Sequence, residues 1–461
     1  MKKLAFLVIL ALIAAVPAYA QLGETDNSSF VIQNLGTTTA TIGVTFYDEA
    51  GTDYTPNPLR TGVPNPFTLA PGAKQEIYMP AVPGLPDGRY SVVIESTEPI
   101  AVIANLLGTG ATYYNGSYSG FNAGATTIYY PSTQYQYYNW NSLMSVQNTT
   151  ASSITANLYI YNAAGTQVAT DSKNIPAFAS YHWDLETVGA SLGLPAGLNG
   201  SAKVACSGAC VGTDNQTAAG GFTQSYNAFI AGDTTLYAPA LYNNYYGWNG
   251  SLKVQNIGPA ATNIDVIYYI EGGAVCDPPA ENIQPGQALF HYLPAKWPTW
   301  SCPSAANKII GAVVTSDGQD IAGVVNAALP GGQAQTYGAF ASADGAGTVG
   351  LPVIMNNYYK WDTAFVCQNL DPTNNATVTY SYSGIGCPAG PQYPGCTYTL
   401  TPGEAKSVYQ PADLDATTGL FAVTVTATGA PIACIANETL PAARGRPGPG
   451  DWSMSYNGFG Q

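Results

Sequence analysis

The sequence has little charge, and positive charge is the scarcest. Charged residues make up 9% of the 461 positions, and 14 Lys and Arg stand against 28 Asp and Glu, for a formal net charge of −14. A surface with so few basic side chains binds phosphate backbones and anionic lipid headgroups poorly. We therefore expect no nucleic-acid partner and no insertion into membranes.

Residues that carry catalysis are also scarce. The chain has only two histidines, His182 and His291. Both follow the proline of a repeated turn at the place where other copies have Ile77 and Val408, so we interpret them as packing variants. The sequence contains no phosphate-binding loop, zinc-protease helix or nucleophile elbow. It predicts a protein that is not an enzyme, with no catalytic residues, no bound metal and no cofactor.

Acidic loops are the places where calcium could bind. Asp48, Glu49 and Asp53 form one such loop, and Asp413 with Asp415 forms another. Neither has the full ligand pattern of a calcium loop, and acidic residues more often only solvate a turn. We expect the solvating role and keep calcium as the alternative.

Long apolar runs are absent after the N-terminus. Lys2 and Lys3 precede an apolar run from Leu4 to Val16, and the small-residue site Ala18-Tyr19-Ala20 follows. This order is typical of a cleaved export signal over residues 1–20, and the run is short for a membrane span. We predict a secreted protein, extracellular or associated with the cell surface.

The eight cysteines fit an oxidising exterior, and none lies in the first quarter of the chain. Four of them lie in the last quarter, where three pairings are open. The predicted disulfides are Cys206–Cys210, Cys276–Cys302, Cys367–Cys434 and Cys387–Cys396.

The most informative feature is a repeat. A Gln-Asn pair follows an apolar strand at Gln33, Gln147, Gln255 and Gln368, with a period of about 110 residues, which indicates an array of modules. Apolar residues alternate downstream of each pair, as in half-buried strands. The sequence predicts an all-β fold of four tandem immunoglobulin-like β-sandwich domains, the size of module that the period suggests. The predicted repeats are residues 21–124, 125–232, 233–346 and 347–461.

A Tyr-Tyr-x-Trp motif precedes each Gln-Asn pair except the first. One interpretation is that these aromatics wedge neighbouring domains together or cap the sandwich. The other is a repeated stacking platform for sugars. The motif follows the boundaries between repeats, which favours the structural role over binding at loop tips. Its residues are Tyr137, Tyr138 and Trp140; Tyr245, Tyr246 and Trp248; and Tyr358, Tyr359 and Trp361.

An apolar segment also precedes each internal repeat, at residues 127–131, 236–239 and 349–352. If each segment completes the preceding sandwich, the last repeat lacks one strand. The N-terminal stretch from Gln21 and Leu22 to Phe30 of another subunit could then supply it by strand addition. The simpler alternative is that these segments are linkers.

Several of these motifs recur together in a familiar order, most clearly in the first repeat. They are Val31 to Gly36, Ala70 to Ala73, Gly84 to Gly88 and Ile100 to Asn105. The chain resembles uncharacterised secreted bacterial proteins built of tandem immunoglobulin-like β-sandwich repeats. The resemblance implies an extracellular, surface-associated role and brings no catalytic residues.

Two functions follow as expectations. The first is a non-enzymatic extracellular structural protein, a subunit of a cell-surface filament, sheath or surface layer that self-associates into a homopolymer. The alternative is a secreted adhesin or carbohydrate-binding protein, in which repeated Tyr- and Trp-rich surfaces bind a surface polysaccharide with avidity.

Overall fold

The computed structural model describes residues 7–11, 25–109, 114–219, 221–329, 332–414, 417–446 and 451–460. Strands account for 59% of it and helices for 7%, which confirms the all-β prediction. The sheets are antiparallel and fall into four groups along the chain. We call these groups units 1 to 4; the boundaries drawn from the repeat stay predictions.

Unit 1 consists of two facing sheets. One has the strand order β1-β7-β3-β4 with β5 beside β3, and the other has the order β6-β2-β8-β9. A short 3-10 turn spans Met79–Ala81. The strands are β1 Leu7–Ala11, β2 Thr25–Asn34, β3 Ala40–Tyr47, β4 Asp53–Tyr54, β5 Phe67–Leu69, β6 Lys74–Tyr78, β7 Ser91–Ser96, β8 Ile100–Thr109 and β9 Tyr114–Ser119.

In unit 2 one long strand, β15, runs through both layers and joins them. The helix α1 spans Leu185–Val188, and Asp184 caps its N-terminus. The strands are β10 Ala125–Tyr135, β11 Asn141–Asn148, β12 Ile154–Tyr161, β13 Gln167–Ile175, β14 Ser180–Asp184, β15 Leu198–Ala218 and β16 Phe222–Asn227.

Unit 3 again has two sheets, β21-β20-β24-β17-β27 with β22 beside β20, and β18-β19-β25-β26 with β23 beside β19. Helix α2 spans Leu293–Lys296, and 3-10 turns span Trp297–Trp300 and Ser342–Asp344. The strands are β17 Thr235–Leu241, β18 Asn243–Tyr245, β19 Trp248–Asn256, β20 Thr262–Ile270, β21 Ala274–Cys276, β22 Glu281–Ile283, β23 Ala288–Tyr292, β24 Ile310–Ser316, β25 Ile321–Leu329, β26 Gln333–Gly338 and β27 Phe340–Ala341.

Unit 4 has the sheets β31-β30-β33-β28-β36 and β32-β29-β34-β35. Helix α3 spans Gln410–Asp413, and 3-10 turns span Pro394–Cys396 and Ala442–Arg444. The strands are β28 Thr348–Asn356, β29 Asp362–Asn369, β30 Ala376–Tyr382, β31 Thr397–Leu400, β32 Ala405–Tyr409, β33 Gly419–Thr428, β34 Ile432–Thr439, β35 Ser453–Asn457 and β36 Phe459–Gly460.

The period-two pattern creates the cores. In β20, Ile264, Val266 and Tyr268 point inward and are at most 2% exposed, while the residues between them reach the surface. The residues at the same places in the other units are buried as well. The repeated Asn after each Gln holds the turn that follows: the Asn256 side chain donates to the Ala260 and Ile283 carbonyls at 2.7 and 3.3 Å.

The strand order differs from that of an immunoglobulin domain, in which the first two strands share one sheet. In units 1, 3 and 4 the first strand (β1, β17 or β28) lies in one sheet and the next long strand (β2, β19 or β29) lies in the other. The sandwich expectation holds, but the connectivity is a different one.

The apolar segments before the internal repeats do not complete the preceding sandwich. They form β10, β17 and β28, which pair with β15, β24 and β33 of the unit that follows. The expectation that each segment completes the preceding sandwich was wrong. A short turn joins each segment to the next long strand of the same unit, and the segment pairs within that unit. Phe30 does not extend to another subunit either: it is fully buried in β2, between β6 and β8. Gln21 and Leu22 lie outside the described residues.

The four units form a closed ring. Ser91 and Ser201, at the same register position, donate hydrogen bonds to the turn carbonyls of Phe178 and Gly286 in the next unit. Gln368 of unit 4 donates to the Ala312 carbonyl of unit 3 at 3.1 Å. Val31 and Ile103 pack into the core of unit 4 and close the circle. Each unit contacts its neighbour head to tail, as in a cyclic oligomer.

The last long strands of the units, β9, β16, β26 and β35, surround the centre of this ring. Each packs on the next in chain order, and β35 returns to β9. Asn227 exchanges hydrogen bonds with the Ser119 backbone at 3.1 and 2.7 Å, and Asn457 does the same with Gly338 at 3.2 and 2.7 Å. We call this region the axis; its side chains are mostly polar.

Candidate functional site

Each Tyr-Tyr-x-Trp motif is a four-residue hairpin turn between the first two long strands of its unit. Backbone hydrogen bonds join Tyr137 to Trp140 at 3.2 and 2.9 Å and Tyr358 to Trp361 at 3.1 and 2.9 Å. Tyr245 pairs with Trp248 in the same way. Two consecutive central residues have positive φ, which is the geometry of a type I′ turn and matches the twist of the strands.

The second tyrosine of each motif sits in the left-handed region. The φ angles of Tyr138, Tyr246 and Tyr359 are 48°, 47° and 47°. Bulky residues avoid this region because Cβ crowds the backbone, and such strain concentrates at functional sites. These rings are 82%, 73% and 81% exposed. Units 2, 3 and 4 thus each expose a bulky aromatic side chain to water on a strained turn.

The other two aromatics of the motif hold the tip in place. The two tyrosine rings of each tip meet edge to face, with centroids 4.8, 5.0 and 4.7 Å apart in units 2, 3 and 4. Trp140 packs on Phe222, and Trp361 packs on Trp452, at the start of the axis strands. In unit 3, Trp248 packs on Tyr242. We call these three turns the tyrosine tips.

The tips also approach the next unit around the ring. Burial first, then the charge of Glu271 and the neighbouring Tyr246 and Tyr409, raises the pKa of Tyr245 to about 12. Tyr409 belongs to unit 4 and is itself 42% exposed. Tyr245 of unit 3 therefore lies near Tyr409 of unit 4.

The structure changes the interpretation of the motif. The preference for a structural wedge rested on its place at the boundaries between repeats. Within the described units each motif lies instead at an exposed loop tip, where binding residues concentrate. Only the tryptophan and the first tyrosine have the packing role that was expected.

The axis contains a buried carboxyl group that the sequence did not reveal. Asp451 of unit 4 accepts hydrogen bonds from Thr223 N of unit 2 at 2.9 Å and from Ala334 N of unit 3 at 3.0 Å. Its carbonyl accepts a hydrogen bond from Asn115 of unit 1. Asp451 thus bonds to all three other units, and burial raises its pKa well above the usual range. It was missed because residues that meet here are far apart in the chain.

Other ionisable groups near the centre are also fully buried. Burial raises the pKa of Glu438 to about 8 and that of Asp214 to about 7. Burial lowers the pKa of Lys253 to about 7, and this ammonium donates to Asn199 and the Gly200 carbonyl of unit 2. Lys253 thus reaches from unit 3 into unit 2, so the burial that lowers its pKa depends on the contact between these two units.

A depression of about 270 Å³ lies at the end of the axis away from the tips. Residues of all four units line it, among them Ser119, Asn227, Gly338 and Asn457. The two Asn side chains already bond to backbone groups, so the depression offers few unpaired polar groups to a ligand.

The cysteines pair as the spacing predicted, with one disulfide in unit 2, one in unit 3 and two in unit 4. Cys367–Cys434 joins the adjacent strands β29 and β34. Four disulfides are consistent with an oxidising, extracellular environment.

The acidic loops and the histidines have structural partners. Asp413 is buried and accepts hydrogen bonds from Tyr380 and Tyr382, both at 2.6 Å, while Asp415 lies outside the described residues. Asp48 caps its own turn. His182 bonds to Ser145 and His291 bonds to Tyr268. Over the described ranges, no group of His, Cys, Asp and Glu is arranged to hold a metal ion.

No helix in the described part of the chain has the length and apolar character to cross a bilayer. No protein-family model matches the chain, and no curated protein matches it.

Three solved structures show a distant likeness. Thermotoga maritima 1070 is 19% identical over 26% of this chain and 96% of its own, with a TM-score of 0.19. A tetra-tandem repeat from the extending region of a large adhesion protein is 12% identical over 99% of this chain and 100% of its own, with a TM-score of 0.11. Streptomyces avermitilis alpha-L-rhamnosidase, complexed with L-rhamnose, is 8% identical over 87% of this chain and 54% of its own, with a TM-score of 0.16. TM-scores this low carry no argument about function.

Proposed function

We propose that this protein is a non-enzymatic, extracellular binding protein whose ring presents three tyrosine tips to a surface polysaccharide. The observation that supports this most is the strained, exposed second tyrosine that recurs in units 2, 3 and 4. A left-handed tyrosine that is 73–82% exposed contributes little packing to the fold. Its retention is best explained by a contact with a partner.

The chemistry of the tips suits an uncharged carbohydrate. A tyrosine ring offers an apolar face to the C–H groups of a sugar and a hydroxyl for hydrogen bonds. With 9% charged residues and a net charge of −14, the chain offers little to an anionic polymer.

The ring would give such a contact its strength. The tips of units 2 and 4 pack at the start of the axis strands β16 and β35, so these two tips stand at the same end of the axis. A polymer with repeating sugars can then bind several tips at once, and linked weak contacts add avidity.

The test is binding of the folded protein to polysaccharide from the native cell surface and to a glycan array. The triple variant Tyr138→Ala, Tyr246→Ala and Tyr359→Ala is expected to lose at least tenfold in apparent affinity. A matched control, Val275→Ala with Ile385→Ala, removes two exposed apolar side chains elsewhere and should bind as the parent does. Equal binding by the triple variant, with an unchanged melting temperature, would refute the proposal.

A second candidate is a structural subunit of a cell-surface filament, sheath or layer that assembles as a homopolymer. It is favoured by the low charge of the chain, 9% of its residues, because few charges are present to discourage association between copies. The ring already uses the contacts between its units, so a polymer would grow through the ring faces. Negative-stain electron microscopy tests this: stacked or lattice-packed rings would support it, and single rings at high concentration would count against it.

A further inference from the structure

Unit 1 obtains its first strand from an unexpected source. In units 2, 3 and 4 the first strand pairs antiparallel with a central strand of its own unit. In unit 1 the same place beside β7 is held by β1, Leu7–Ala11. These residues lie inside the stretch that the sequence identifies as an export signal.

The register of β1 matches that of the other first strands. Ala11 pairs with Val92, as Ala238 pairs with Ala312 in unit 3. On their other side, Val92 pairs with Phe46 and Ala312 with Tyr268, which occupy equivalent places. The segment therefore occupies the first-strand position residue for residue.

This position matters to the core and to the sheet. In the other units the first strand contributes fully buried side chains, such as Tyr130, Ala238 and Leu351. Without β1, the backbone groups of β7 along Ser91–Ser96 would form an unpaired edge beside the buried Val92 and Ile94. An open edge next to an apolar core is a ready acceptor for an added strand.

We propose that the β7 edge of unit 1 is a strand-acceptor site, and that its occupant is this chain's own segment Leu7–Ala11. The apolar segment then serves two purposes, export and completion of unit 1. A chain cut after Ala20 would lose the strand, so the folded extracellular protein retains residues 7–11. No other stretch of the described chain is free to replace β1, because the remaining apolar segments are already paired in their own units.

The test compares chains 1–461 and 21–461, both refolded with their disulfides so that export plays no part. Hydrogen exchange of the Ser91–Ser96 amides is the readout. These amides are expected to be protected in the full chain and to exchange at least a hundredfold faster in the shortened one. A synthetic peptide covering residues 4–14 should restore protection in the shortened chain.

A point variant separates strand pairing from chain length. Ile9→Pro in the full chain removes a backbone N–H from β1 and should behave as the shortened chain does. Ala15→Pro, outside β1, should behave as the parent. Equal protection in all four proteins as monomers would overturn the proposal.

Mass measurement of the extracellular protein tests the occupant. A mass that includes residues 7–11 is expected. A protein that begins at Gln21 and still protects Ser91–Ser96, as a monomer or by pairing with a second copy, would overturn the assignment of Leu7–Ala11.

Discussion

Units 1 and 4 have equivalent strand pairs but carry different side chains at the same positions. The strand pair at the centre of the inner sheet carries Ile32 and Val102 in unit 1 and the disulfide Cys367–Cys434 in unit 4. All four residues are fully buried. The comparison teaches that strand pattern and ring contacts suffice for the fold, and that the disulfide is an addition to it.

The two units differ again beside the axis. Leu106 in unit 1 and Glu438 in unit 4 hold the same register position, opposite Ser28 and Thr363. An apolar side chain costs nothing to bury here, whereas a carboxyl group must stay protonated or the protein loses free energy. Unit 4 is thus the more cross-linked of the two, and at this register position it is the one that carries a titratable group.

The largest expected effect on the free energy of unfolding comes from giving unit 4 the two residues that unit 1 has in place of Cys367 and Cys434. The double variant Cys367→Ile with Cys434→Val removes a cross-link with a sequence separation of 67. The chain-entropy estimate for a loop of this size is about 4 kcal/mol, so we expect a loss near that value in denaturant unfolding. Removing the short Cys206–Cys210 link should cost about half as much. A loss below about 1 kcal/mol would show that packing alone secures unit 4.

The next largest loss of stability is expected at Asp451, because this residue joins unit 4 to the other three units. Asp451→Ala leaves the buried N–H groups of Thr223 and Ala334 without an acceptor, and we expect a loss of about 3 kcal/mol. Asp451→Asn keeps one acceptor oxygen and should lose less. Chemical unfolding at pH 6 measures both, and equal stability of parent and alanine variant would exclude a ring-closing role.

Glu438 should make stability depend on pH. Its pKa rises from 4.5 to about 8 on folding, so between these values the folded protein holds a proton that the unfolded chain has released. Stability from this group therefore falls as pH rises from about 4.5 to 8 and then levels off. Glu438→Gln removes this slope and should stabilise the protein by about 2 kcal/mol or more at pH 9, with little effect at pH 4.

The control for that prediction is Glu404→Gln, which changes a carboxylate that is paired with Lys406. It should leave the slope in place. If Glu438→Gln has the same pH profile as the parent, another buried acid, such as Asp214, causes the slope.

The smallest effect concerns the tips, which unit 1 does not share in its described residues. Asparagine tolerates the left-handed region, so Tyr138→Asn should relieve strain and stabilise the protein by up to about 1 kcal/mol. The lost contact with Tyr137 offsets part of this gain. Thermal unfolding measures it; a clear loss of stability would mean that the tyrosine is retained for packing rather than for binding.

Local pattern predicted much of this structure. The alternation in β3, β12 and β20 gave strands and buried faces, and the recurring Gln-Asn pairs marked equivalent strands. The Gln of the pair also marks a contact between units. The side chains of Gln255 and Gln368 donate hydrogen bonds to backbone carbonyls of the preceding unit. A polar pair that recurs inside a buried strand was the available signal for an interface.

Sequence spacing does not predict the register where the backbone is irregular. The spacing aligns His182 with Ile77, but the structure pairs His182 with Ser145, and Trp183 takes the position of Ile77. The preceding Phe178 has a φ of 59° and shifts the register by one residue. A one-residue shift moves a side chain to the other face of the strand, which is why His182 lies at the interface with unit 1.

The sequence by itself determined the all-β class, the alternating buried faces of the strands and the cysteine pairs, because each depends on neighbours in the chain or on a period within it. Only the tertiary structure decided that β10, β17 and β28 pair within units 2, 3 and 4 and not with the unit before. It also decided that the units close into a ring and that Asp451 contacts three other units. The physical reason is that these contacts join surfaces far apart in the chain, and an apolar strand fits several partners equally well until the whole ring selects one.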